Sequence, residues 1–399
     1  MALTILGLPE GVEADVTLSG PSGDEELHSS ELLSEIATGG YTASGSEVLD
    51  DDPIVRTLYR PGPEVSVCVA ADSEAALEVE YTMVPPSNKL WILSDDDARV
   101  QGFASDLLTD SNEDVATVAL TIPGGTDLAF ERSGHLWVVG ATVAEPHLLR
   151  YPAGELGESG DLEPDREIVI DDLGCLPAIR AIAFDGTGQL WVSACGGKIY
   201  RLTADELASS GTRAPTVVLG NVSENRDVAF DTVGNLWVAS DGAAVRYDAD
   251  RLDASDSEAP DATLSVRNAT DTQDISVDYL TFDTSGNLWV TDFGGNFVAQ
   301  LAASDLADGG ERSVVSASSL VLSVSALLNR PAFDGEGGLW ISYAAGRVAR
   351  IAPADLLVNT TAGDPTLPEV ILSGAGIGNT ANVAFFPAPS GLPLYHAWP

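Results

Sequence analysis

Apolar and polar positions along this chain alternate in a phrase that keeps returning. It reads VAFDTVGNLWV at 228–238, LAFERSGHLWV from Leu128, IAFDGTGQLWV from Ile182, LTFDTSGNLWV from Leu280 and PAFDGEGGLWI from Pro331. A degenerate copy, VAFFPAPSGLPLY, starts at Val383, and an orphan second half, NKLWIL, starts at Asn88. Self-similarity at a period of about fifty residues signals a repeat architecture. Each copy predicts two short strands joined by a tight turn of an acidic residue and Gly, with Gly supplying the positive φ. Both strands lack polar alternation, as strands buried on both faces do.

A third strand with Arg near its end follows: LLRY at Leu148, IYRL at Ile199, VRY at Val245 and VARI at Val348. Next comes Ala-x-x-Leu, at Ala204 to Leu207, Ala249 to Leu252 and Ala303 to Leu306, which predicts one helical turn. A fourth apolar strand, such as TVVL at Thr216 or EVIL at Glu369, completes the unit. Four antiparallel strands repeated in series make a propeller blade. Trp91, Trp137, Trp191, Trp237, Trp289 and Trp340 mark six second strands, while the first strands end at Phe130, Phe184, Phe230, Phe282, Phe333 and Phe385. Trp91 lacks a preceding first strand, and Phe385 is followed by no Leu-Trp second strand, the penultimate residue Trp398 standing outside the phrase. Joining the Trp91 and Phe385 strands gives an all-β, six-bladed β-propeller with one-plus-three strand closure, which removes open sheet edges.

Residues 1–83 stand outside the repeat. GVEADVTLSGPSG, GGYTASGSEV, VSVCVAA and ALEVEYTMV predict short strands between Gly, Pro and Ser turns, hence a small β-sandwich. Val84-Pro85-Pro86-Ser87 is the expected linker, and 84–399 the propeller.

Composition narrows the partners. The formal net charge is −42, with 61 Asp and Glu against 19 Lys and Arg. Phosphate backbones and anionic bilayers both call for a basic surface, so nucleic acid is a poor partner and anionic membrane surfaces are disfavoured. No apolar run is long enough to insert in a bilayer. Two readings of the acidity stand, a solvated salt-tolerant surface and a calcium-loaded one. The N-terminus, MALTILGLPEG, does not resemble a secretion signal, so an exported protein would have its signal absent from this sequence. Cys68 is expected to fill the core of the N-terminal domain. Cys175 precedes one first strand and Cys195 follows the second strand of the same blade. Their loops share one face, so the two either form a disulfide, which indicates an oxidising compartment, or are unrelated thiols.

Candidate chemistry gathers where first strands begin. Three residues before each first-strand Phe stand Asp127, Ala181, Asp227, Tyr279, Arg330 and Asn382; four before stand Thr126, Arg180, Arg226, Asp278, Asn329 and Ala381. Arg180, Arg226 and Arg330, with Tyr279 and Asn329, suit a carboxylate, sulfate or phosphate through the planar guanidinium fork. The other reading pairs each Arg with an Asp in an ion network between blades. Asp127, Asp227, Asp278 and Asn382 form an oxygen-rich set of the kind calcium takes. The second-to-third loops add Asp95, Asp96, Asp97, Asp241, Asp292 and Tyr343 to that face. Of the histidines, only His147 is expected there, and no nucleophile elbow, zincin or phosphate-loop motif occurs.

The AFD-x-x-G-x-LWV phrase resembles the NHL-type repeats of bacterial six-bladed propellers and the wider superfamily of gluconolactonase-like enzymes and streptogramin lyases. The N-terminal order Gly-Leu-Pro, Val-Thr-Leu-Ser-Gly-Pro, Gly-Gly-Tyr-Thr resembles prealbumin-like or immunoglobulin-like accessory domains of bacterial extracellular proteins. The first resemblance implies a divalent metal held near the channel, and Asp127, Asp227, Asp278, Asn329 and Asn382 stand in broadly comparable places. Two functions follow as expectations. One is an extracellular, periplasmic or cell-surface binding protein whose propeller mouth takes a small polar or anionic ligand or a protein partner's loop. The other is a calcium-dependent, lactonase-like hydrolase or lyase. In a third, the blade sides make protein contacts and the channel is inert.

Overall fold

A computed structural model describes residues 1–9, 11–34, 36–46, 48–49, 58–71, 75–84, 89–94, 98–111, 116–131, 134–140, 147–171, 179–270, 272–323, 327–343, 346–373, 377 and 380–386. The chain divides into two compact units, Met1–Ser87 and Asn88–Pro399. Both are built of β-strands. Helix among the described residues is confined to single turns, among them Ala204–Leu207, Ala249–Arg251 and Ala303–Leu306, where the Ala-x-x-Leu segments place them.

The first unit holds two sheets. Glu31–Leu32, Ala2–Leu6, Ala76–Val84, Leu58–Pro61 and Val48–Leu49 lie in order in one; Gly23–Leu27, Val16–Gly20, Gly39–Gly45 and Val65–Val69 form the other. Leu3, Val79 and Tyr81 of the first and Val16, Leu18 and Tyr41 of the second share one buried cluster. Cys68 does not join it, contrary to expectation: it is an exposed free thiol. The strand Val65–Val69 turns its valines to the cluster, and strand alternation therefore sends Ser66 and Cys68 outward.

In the second unit, six sheets are each centred on one Trp of the repeat. The Trp237 sheet is representative: Asp227–Phe230, Leu236–Ser240, Ala243–Tyr247 and Ala262–Arg267 run antiparallel in chain order. The acidic turn explains the motif. Asp231 accepts the N–H of Val233 (3.0 Å), the N–H of Asn235 (2.9 Å) and the Trp237 indole N–H (2.9 Å). Asp185, Asp283 and Asp334 likewise take the indole N–H of Trp191, Trp289 and Trp340. Turn glycines Gly134, Gly188, Gly234, Gly286 and Gly337 have φ between 78° and 89°, conformations costly for any side chain. Trp191, Trp237, Trp289 and Trp340 each meet the Phe of the next sheet edge-on, Phe230, Phe282, Phe333 and Phe385 respectively. Such contacts glue neighbouring sheets.

The inner strands are Thr380–Phe386, Leu128–Phe130, Ile179–Phe184, Asp227–Phe230, Tyr279–Phe282 and Pro331–Phe333. Each adjoins the next, and Pro331–Phe333 adjoins Thr380–Phe386, which in turn adjoins Leu128–Phe130. Thr380–Phe386 pairs antiparallel with Lys89–Ser94, Ala384 opposite Trp91. The orphan Trp strand thereby receives its missing partner.

A second, outer closure was not foreseen in the sequence. The connection after each third strand reaches back and covers the outer edge of the preceding sheet. Gly160–Asp161 pairs parallel with Val118–Thr121, Gly211–Arg213 with Arg166–Ile170, and Gly310–Val315 with Ala262–Arg267. Single bridges join Leu219 to Asp256 and Leu322 to Thr366. The circuit closes where the Ile371 N–H donates to Ser111 Oγ at 2.9 Å. Each outer strand is thus shielded from edge-to-edge pairing.

Candidate functional site

Strand alternation gives the two register positions ahead of each inner-strand Phe different surroundings. The position three before Phe faces the axis. Asp127 and Asp227 are wholly buried there and Arg330 is 1% exposed. Arg330 Nη1 donates to Asp127 Oδ1 (2.8 Å) and Oδ2 (2.9 Å), while Nη2 donates to Asp227 Oδ1 and to the Val228 carbonyl. The Trp340 sheet carrying Arg330 is next to neither acceptor's sheet, so the guanidinium must span the axis.

Backbone donors complete the network. Asp127 accepts the N–H of Leu128 (2.8 Å) and of Ile182 in the next sheet (2.7 Å). Asp227 repeats this with Val228 (2.8 Å) and Leu280 (2.9 Å). Asn382 Nδ2 donates to Asp127 Oδ1 (2.9 Å) and to the Thr126 carbonyl (2.8 Å). One network therefore touches all six inner strands. Two carboxylates face one guanidinium, leaving a net negative charge in a buried place. Burial pushes Asp127 up to about 7, against the pull of Arg330 and with Asp227 adding to the rise.

One residue earlier, at the mouth, the arginines fare differently. The Arg180 side chain is 30% exposed and lies 3.9 Å from Glu224; that of Arg226 is 41% exposed, with Nε 3.3 Å from Asp278 Oδ1. Neither guanidinium donates a hydrogen bond among the described residues, and Arg180 Nε is buried without a partner there; the Arg226 backbone N–H donates to the Ala239 carbonyl at 2.8 Å. The arginines of the third strands contrast with them. Arg150 donates to Asp165, Arg201 to the Leu252 carbonyl, Arg246 to Asp248 and Arg350 to Asp334. Tyr279 sits half-buried between axis and mouth, its phenol pushed up to about 12 by burial, with Asp227 adding to the effect. Asn329 is anchored through its backbone, its N–H donating to the Ser342 carbonyl (3.0 Å) and its carbonyl accepting from Thr291 Oγ1 (3.1 Å).

Of the expected metal set, Asp127, Asp227 and Asn382 share the Arg330 network: both carboxylates accept from Arg330, and the Asn382 amide N–H donates to Asp127. Asp278 instead accepts the Phe293 N–H at 2.9 Å. Among the described residues no three of His, Cys, Asp and Glu converge as metal ligands. His147 pairs with Glu167 at 2.5 Å. Cys195 is disulfide-bonded; Cys175 and Asp95, Asp96 and Asp97 lie outside the described residues. No helix among the described residues is long and apolar enough to cross a membrane. An ion network between blades was one of the two readings of these arginines, and Arg330 makes one; its particular partners were not readable because Asp127, Asp227 and Arg330 are separated by about a hundred residues each, and the count from the inner-strand Phe was the signal that grouped them.

Antiparallel sheets packed in a closed circuit about a plugged axis define a β-propeller. Solved structures to which the chain is similar include the C-terminal WD40 domain of Sif2, at 10% identity and TM-score 0.40 over 93% of this chain and 90% of that one. Another is a protein of unknown function from Bacteroides caccae, at 9% identity and TM-score 0.44 over 72% and 98%. A third is a catalytically inactive virginiamycin B lyase from Staphylococcus aureus with quinupristin, at 14% identity and TM-score 0.38 over 63% and 75%. No protein-family model and no curated protein matches the chain.

Proposed function

We propose that this protein is an extracellular or cell-surface binding protein: a six-bladed, NHL-like propeller preceded by a small β-sandwich, taking a small anionic ligand at the propeller mouth. The observation that carries the reading is the pair Arg180 and Arg226. They stand at the start of adjacent inner strands, their guanidinium groups beside charged neighbours but donating no hydrogen bond among the described residues, and a guanidinium fork meets a carboxylate or phosphate with paired donors. Tyr279 lies beside them, whereas Arg330 serves the axis. The axial network closes the channel behind the ligand. Blade edges are covered by the outer belt, which leaves the mouth as the recognition surface.

The six-blade count is supported by the six Trp-centred sheets and the Lys89–Ser94 pairing with Thr380–Phe386; the sandwich is supported by the buried cluster shared between the two N-terminal sheets. We further propose Cys175 as the partner of Cys195, in keeping with an oxidising compartment. The native protein would then offer one reactive thiol, Cys68, and the Cys175→Ser variant two.

Calorimetric titration with inorganic phosphate and with acetate tests the mouth. Saturable binding weakened at least tenfold, about 1.4 kcal/mol, in Arg226→Gln and in Arg180→Gln is the expected result. Wild-type protein that takes up neither anion would remove the reading.

A further inference from the structure

Two part-exposed apolar residues, Phe293 and Leu327, are tied by backbone hydrogen bonds to the Asp278 that faces Arg226, and one of them is held in a conformation its side chain resists. Leu327 has φ +83°. The other non-glycine residues with positive φ are Ala98, Asn221, Glu224, Asp241 and Asn296: small, polar or carboxylate side chains. A bulky aliphatic residue there is an outlier, and such outliers persist where surrounding structure imposes them and cluster at ligand sites. Leu327 is also 42% exposed, so core packing does not account for it.

Named hydrogen bonds tie Leu327 to the mouth. Its N–H donates to the Phe293 carbonyl at 2.8 Å. The Phe293 N–H donates to Asp278 Oδ2 at 2.9 Å, and Asp278 Oδ1 faces Arg226 Nε at 3.3 Å. Phe293 is itself part-exposed, and Tyr279 directly follows Asp278 in the inner strand. Asp278 thus serves as a hinge pin: one oxygen holds the loop that presents Phe293 and Leu327, and the other holds Arg226 by Nε. Among the described residues the Arg226 terminal nitrogens make no hydrogen bond.

Resting on the mouth reading above, we infer that the ligand is an amphipathic carboxylate, whose anionic group pairs with Arg226 and Arg180 while an aromatic or alkyl body covers Leu327 and Phe293. An inorganic anion would leave both side chains in water. Burying part of a phenyl ring, about 60 Å² at 25 cal/mol per Å², corresponds to roughly tenfold in affinity.

Acetate, phenylacetate and inorganic phosphate, titrated separately into the full chain, test this. Phenylacetate is expected to bind about tenfold more tightly than acetate. Leu327→Gly should reduce that preference, Phe293 being left in place. Glycine adopts φ +83° freely, so the variant should unfold at or above the wild-type temperature. Equal affinity for phenylacetate and acetate in wild type overturns the inference and leaves the mouth reading intact. A preference undiminished in Leu327→Gly also overturns it. Failure of all three probes overturns both.

Discussion

At the axis, Arg330 is buried and its terminal nitrogens are fully engaged; one register position earlier, the Arg180 and Arg226 side chains are part-exposed and their guanidinium groups donate no hydrogen bond among the described residues. All three arginines belong to the same stretch of the repeat, and a shift of a single residue separates their surroundings. A position three before the Phe points into a space enclosed by all six strands, where charge must be matched by neighbours. A position four before it meets solvent, where a guanidinium can remain unmatched. The same residue type therefore locks the fold in one register and stays available for a ligand in the other.

Removing the lock should have the largest effect. Arg330→Met strands Asp127 and Asp227 as buried carboxylates, and breaking a buried ion pair in this way costs about 3–5 kcal/mol. Urea unfolding of the variant should show that loss. Adding Asp127→Asn to Arg330→Met should recover part of it, because one stranded charge is then gone. A single variant as stable as wild type would mean that the axis does not depend on its charges.

The pH dependence sharpens the same point. Asp127 sits at about 7 in the native protein, above the ordinary carboxylate value. The folded state therefore holds its proton more tightly than the unfolded chain does. The sign follows: this contribution to stability is complete in acid below the ordinary carboxylate value and is lost as the pH rises through about 7. Unfolding measured from pH 4 to pH 8 should show a fall in stability that Asp127→Asn reduces, the difference between the two slopes isolating this carboxylate from the rest of the acidic surface.

How far these features were legible in the sequence depends on whether a repeat carried them. The phrase ending in Leu-Trp located the hairpins because every part has a local cause: Gly for the positive φ, Asp for the turn N–H groups and the indole. It also gave the register that grouped Asp127, Asp227 and Arg330. Their partnership was not legible, since it joins sheets two apart in the circuit and no spacing encodes it. Calcium was suggested by the same carboxylates, but oxygen-rich composition cannot show that Arg330 reaches them first. The outer belt was hidden because its segments, such as SSGTR after Leu207 and DGGERS after Ala307, read as loops until their parallel partners are known. Cys68 was misplaced by hydrophobicity alone; the alternation of Val65, Val67 and Val69 would have sent it outward.

A smaller effect separates repeats that carry the acidic turn from the one closed by the two ends of the unit. Asp231→Ala deprives the indole of Trp237 and two backbone N–H groups of their acceptor, a loss of about 1–3 kcal/mol. Among the described residues the buried Trp91 indole N–H has no acceptor. Trp91→Phe should therefore cost less than Trp237→Phe, which discards a made hydrogen bond. Equal costs, measured by chemical unfolding, would show that the indole bond contributes little anywhere in the ring.

The smallest effect belongs to the mouth, and it decides whether the contrast with the axis is real. Arg226→Gln removes one half-exposed ion pair with Asp278. Pairs of that kind contribute about 0–1 kcal/mol, because solvent screens the attraction and ordering two side chains offsets it. Asp278 keeps its bond from the Phe293 N–H, so the substitution does not strand it. Unfolding of Arg226→Gln should stay within about 0.5 kcal/mol of wild type, although anion binding falls. A loss approaching that of Arg330→Met would place Arg226 in the architecture and leave the mouth without a residue kept for a ligand.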